Sequence, residues 1–90
     1  MGRILNAAQC EQIKKLRVGL EPYADKSWMA EGSDAIDGAV GICFNNDTDE
    51  SFFYDYEGNV LAPNLNVTSL NDAKKIANIE AAILRICEEE

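Results

Sequence analysis

Apolar positions along the chain fall into two regimes. From Ala7 to Val18, and again from about Ser69 to Cys87, they recur every three or four residues; between Ala39 and Ala62 they alternate or gather in short runs broken by Asn, Asp and Gly. The first regime predicts helices and the second predicts strands. Asn6 stands where an N-cap is wanted, with Gln9 at the capping-box position and Leu5 and Cys10 placed for a hydrophobic staple. Ile13, Leu16 and Leu20 share one side of this helix, while Glu11, Lys14 and Lys15 point away; Gly19 and Pro22 end it. In the last helix Ser69 with Asp72 gives a capping-box-like start. Ile76, Ile79, Ile83 and Ile86 then form a stripe flanked by Ala73, Ala77 and Leu84. Lys74 and Lys75 near its start and Glu88 to Glu90 at its end both oppose the helix dipole, so tertiary packing must hold it.

Three strands are expected between these helices: Ala39 to Phe44, Ser51 to Tyr56, and a short one near Asn59 to Ala62 ended by Pro63. The cluster from Asn45 to Glu50 reads as the first turn and Glu57-Gly58 as the second. Setting Asn45 opposite Ser51 pairs Phe44 with Phe52, Ile42 with Tyr54 and Val40 with Tyr56, which gathers the large residues on one core face. The other face then carries Ala39, Gly41, Cys43, Phe53 and Asp55, with Val60 or Leu61 beside them. It is either a protein-docking or dimer surface, or it is covered by a short helix over Pro22 to Glu31 with Trp28 as its lid. The expected fold class is α+β: one domain over residues 1–90, a three-stranded antiparallel meander with an N-terminal and a C-terminal helix on one face.

Composition narrows the function classes. With 90 residues, 47% of them apolar and 27% charged, the chain suits one globular domain with a modest core. No apolar run is long enough to span a bilayer, and Met1 to Asn6 turns polar too soon for a secretory signal. Cys10, Cys43 and Cys87 lie far apart, which predicts free thiols in a reducing, cytoplasmic setting. The net charge of −8 comes from one stretch: residues 31–73 hold Glu31, Asp34, Asp37, Asp47, Asp49, Glu50, Asp55, Glu57 and Asp72 and no base. Such a field repels nucleic acid and anionic membranes and attracts basic proteins.

Candidate chemistry is sparse. Histidine is absent, which removes the commonest general base and any Ser-His or Cys-His nucleophile pair, and no Gly-rich phosphate loop occurs. No catalytic residue, cofactor or metal is therefore expected. Asn45-x-Asp47-x-Asp49 begins like a calcium loop, but Glu50 and Tyr56 stand where Gly and Glu are required, which favours a solvated hairpin tip. Glu80 falls inside the apolar stripe between Ile76, Leu84 and Cys87. It reads either as an edge carboxylate reaching water or Arg17, or as a buried acid with a raised pKa and a functional partner.

The strong acidity, the helix–meander–helix order and the ending Ile79-Glu80-Ala81-Ala82-Ile83-Leu84-Arg85-Ile86-Cys87-Glu88-Glu89-Glu90 resemble the small phage inhibitors called anti-CRISPR proteins, some of which act as DNA mimics. Immunity proteins that neutralise nuclease toxins share this charge logic. The resemblance carries over no residues; with the base-free acidic stretch 31–73 it points to a non-catalytic inhibitor or adaptor docking on a basic, nucleic-acid-handling protein. From that stretch Asp47, Asp49, Glu50, Asp55 and Glu57 are the expected charges, and Phe53 and Trp28 the expected apolar anchors. The alternative is a self-associating homodimeric structural domain.

Overall fold

The computed structural model describes residues 4–88. Residues 1–3 and 89–90, where the leader reading begins and the terminal glutamate run ends, lie outside them. The architecture is α+β: α1 (Ala7–Val18), α2 (Glu21–Ala24), β1 (Trp28–Gly32), β2 (Ala39–Asn45), β3 (Glu50–Asp55), β4 (Val60–Asn64) and α3 (Val67–Glu88). The strands form one antiparallel sheet in the order β1-β2-β3-β4. No helix among the described residues is long and apolar enough to cross a membrane.

α1 begins as its sequence dictates. The Asn6 side chain accepts from the Gln9 backbone N–H at 2.8 Å, and the Gln9 side chain accepts from the Asn6 N–H at 3.0 Å, closing a capping box. Gln9 also donates to the Ile86 carbonyl at 3.3 Å, tying α1 to the far end of α3. α3 packs on β3 and β4, and α1 packs on α3.

The sheet corrects the expectation in two ways. It has four strands rather than three, because residues 22–31 do not make one helix: α2 stops after Ala24, Ser27 turns the chain at φ 63°, and Trp28–Gly32 pairs with β2 as an edge strand. The β2–β3 register is also one residue away from the expected one. Asn45 faces Glu50, Cys43 faces Phe52 and Gly41 faces Tyr54. The turn decides this. Asn45 Oδ1 accepts from the backbone N–H groups of Asp47 and Thr48 at 2.9 and 3.2 Å, and Asp49 donates to the Asn45 carbonyl at 3.0 Å. Asp49 itself sits at φ 61°, a left-handed conformation that aspartate tolerates better than most residues.

The slip exchanges the faces. Ala39, Gly41, Cys43 and Asn45 of β2 point inward with Phe52 and Tyr54 of β3. Small residues on one strand make room for large ones on the next: a Cβ on Gly41 would collide with the Tyr54 ring and hydroxyl. Ala73, Ala77 and Ala81 of α3, all fully buried, let the helix lie close over these rings, and Ile76 fills the space between. The isoleucine stripe is accordingly not the main buried row: Ile79, Ile83 and Ile86 are only half-buried. Trp28 is on this inner face too, its ring 5.7 Å from Phe52 at 60°.

Candidate protein-docking face

With the small residues turned inward, the larger ones of β2 face out. Register partners share a face, so the outer surface has two rows across all four strands: Glu31, Ile42, Phe53 and Leu61, and Met29, Phe44, Ser51 and Asn64. Ile42, Phe44, Phe53 and Leu61 are half-buried, and Met29 is 52% exposed. α3, with α1 on it, lies against the opposite face. Sequence reasoning placed Phe53 on this surface correctly but assigned Ile42 and Phe44 to the core. It expected Ala39, Gly41 and Cys43 outside, and they are buried.

The expected acidic residues do not act alike. Asp47 and Asp49 are exposed at the β2–β3 tip, where Asp47 accepts from the Ser27 hydroxyl. Asp55 and Glu57 are at the opposite end of β3, about 17–20 Å away for a strand of this length. Asp55 is a turn-builder: its Oδ1 accepts from the backbone N–H groups of Glu57 and Asn59 at 3.1 and 2.8 Å, and its Oδ2 accepts from Asn59 Nδ2 at 2.9 Å. The Asn59 side-chain and backbone bonds hold its carboxyl below the usual range. Glu57 is exposed.

Glu50 has a structural role instead of a surface one. It is 8% exposed, and its carboxylate accepts from the Asn66 N–H at 2.7 Å and the Ser69 hydroxyl at 3.0 Å. Asn66 in turn accepts from the Ser69 N–H at 2.9 Å, so α3 starts three residues earlier than the Ser69 cap predicted. The Asn66 N–H bond, more than the Ser69 and Thr48 bonds, holds the Glu50 carboxyl low. Trp28 likewise leaves the expected docking set, since it packs on Phe52 inside.

The strands' own charges are of one sign, although two bases from elsewhere reach the ends of the sheet: Arg85 donates to the Tyr56 carbonyl at 3.0 Å, and Lys26, beside Asn45, is paired with Asp72. All four strands lie within residues 27–73, which contain no Lys or Arg. Glu31 is in the apolar row itself, Asp47 and Asp49 flank one end, and Asp55 and Glu57 flank the other. The described residues contain no group of three or more side chains placed to hold a metal ion. Asn45, the first residue of the calcium-like run, is engaged in closing the hairpin. No protein-family model matches the sequence, and neither a characterised protein nor a solved structure does.

Proposed function

We propose that this chain is a non-catalytic binding domain that docks its open sheet face onto a protein whose basic surface surrounds an apolar centre. One observation carries the reading: a contiguous apolar sheet face, opposite the face that α3 covers, on strands whose own charged residues are all acids. Exposed apolar patches of this kind mark interaction sites, and rim charge selects the partner and speeds encounter. Phe53, Ile42 and Phe44 supply the anchors; Asp47, Asp49 and Glu57 supply the steering charge. The partner class this favours is a nucleic-acid-handling protein, as for inhibitors of the anti-CRISPR type or immunity proteins. The homodimer alternative would press two acid-rimmed faces together, and like-charge repulsion disfavours it.

The test is a parallel capture from bacterial lysate with wild type, Phe53→Ser and an Asp47→Lys/Asp49→Lys variant at low and high salt, with sedimentation of the bait alone. The wild type should capture a basic protein that salt releases. Phe53→Ser should lose it, and the charge-reversed bait should lose most of it at low salt. Equal capture by all three baits, or a wild-type bait that sediments as a dimer and captures nothing, would overturn the proposal.

A further inference from the structure

On the α3 side of β1, α2, α3 and the edge strand line an open pocket of about 200 Å³ whose walls include Tyr23, Trp28, Ala30, Ile76 and Glu80, with Met29 of β1 at its margin. It is smaller than the ~300–1,000 Å³ typical of drug-sized ligands, which suits one side chain or head group. Its walls are apolar and aromatic, and Glu80 is its one acidic lining residue. A shallower hollow beside it shares Glu80 and brings in Arg17 and Glu21.

Glu80 is half-buried on α3, the element whose neighbouring turns make the core. No described side chain closes on its carboxylate within hydrogen-bonding or ion-pairing distance. Arg17 acts on it only through its field, and Lys26, which lies over the Tyr23 ring at 5.7 Å, is paired with Asp72 at 3.1 Å. A carboxylate kept partly out of water without a partner is costly, and a cation that entered the cavity would offset that cost. The aromatic walls favour a flat, weakly hydrated cation over a compact ammonium, because a guanidinium stacks on indole and phenol faces and can donate two bonds to a carboxylate.

We infer that this pocket, lined by Tyr23, Trp28 and Glu80, is a binding site for an alkylguanidinium, such as an arginine side chain. The pocket opens mainly on the α3 side of β1 and shares only Met29 with the docking face, and a small-molecule probe tests it without the protein partner of the proposed function. Arg17 is the built-in competitor: its charge already acts on Glu80, and removing it leaves the carboxylate freer for a ligand.

Trp28 is the one tryptophan of the chain, so its fluorescence reports on the cavity directly. The experiment titrates N-acetyl-argininamide, with N-acetyl-citrullinamide as a neutral isostere, into wild type, Glu80→Gln and Arg17→Gln. Wild type should give a saturable change with the arginine probe and none with citrulline. Glu80→Gln should raise the midpoint about tenfold or more, the usual weight of a charged hydrogen bond, and Arg17→Gln should lower it. Circular dichroism verifies that each variant is folded. An equal response to citrulline, no saturable response in wild type, or a midpoint unmoved in folded Glu80→Gln would overturn the inference. If Glu80→Gln fails to fold, the arginine–citrulline contrast in wild type decides.

Discussion

Two glutamates of the same chain are pushed in opposite directions by their surroundings. Glu50 accepts from Asn66 and Ser69 at the start of α3, and those bonds favour its charged form. Glu80 is held partly out of water, and desolvation raises its pKa more than the Arg17 charge lowers it. Linkage gives each a sign. A lowered folded pKa means Glu50 adds stability above its ordinary value near 4.5, and that stability is lost as pH falls through the folded value. A raised folded pKa means Glu80 is best tolerated below 4.5, and its contribution is lost as pH rises through the folded value. Denaturant unfolding across pH 3–8 should therefore show Glu50→Gln less stable than wild type at neutral pH, with the difference vanishing in acid. Glu80→Gln should be more stable than wild type at neutral pH, again with no difference in acid. Parallel curves for wild type and either variant would contradict the assignment. Glu50 was the acid that sequence reasoning misread. In the sequence Glu50 closes a polar turn cluster and looks like any surface charge. Only the register places its carboxylate beneath Asn66 and Ser69.

Among the elements, helices were the more legible. Asn6 and Gln9 specify the start of α1 through contacts three residues apart, so local sequence suffices. The existence of α3 was equally plain from its apolar spacing. Its buried row was not, because the isoleucine stripe is hydrophobic by residue type, whereas Ala73, Ala77 and Ala81 are buried by close approach to the sheet. The β2–β3 pairing failed for a related reason. Gathering Val40, Ile42, Phe44, Phe52, Tyr54 and Tyr56 on one face maximises apolar area but ignores volume. With the alanine row pressed on the sheet, β2 must stay small between the rings of β3 and Trp28 of β1, and Gly41 must yield space to Tyr54. A Gly41→Ala change should therefore cost about 1–3 kcal/mol or more from overpacking, measured by urea unfolding. Gly32→Ala, on the edge strand with nothing within 4 Å of a Cβ, should be neutral or slightly stabilising. Equal effects at the two glycines would restore the expected register. The α2–β1 segment was illegible for a different reason: Tyr23, Trp28 and Met29 fit a helix face as well as a turn and strand, and Ser27 at positive φ leaves no compositional mark.

At the scale of the molecule, the register slip changes the functional account. The expected open face was a mild strip of Ala39, Gly41, Cys43 and Phe53; the actual one carries Met29, Ile42, Phe44, Phe53 and Leu61 in two rows. The acidity of residues 31–73 is legible in the sequence, since charge needs no fold to be counted. What the fold adds is its placement around an apolar centre, the arrangement in which desolvated aromatics hold a complex and peripheral charge steers it. The core side offers a contrast, because Ile79, Ile83 and Ile86 of α3 lie away from that face and serve as internal controls. The most direct measurement is methyl NMR of the chain labelled at Ile, Leu and Met, titrated with the basic protein it captures. Docking through the sheet predicts that the Met29, Ile42 and Leu61 methyls shift or broaden first, while those of Ile79, Ile83 and Ile86 stay in place. Perturbation centred on the three α3 isoleucines, with Met29, Ile42 and Leu61 unchanged, would contradict it.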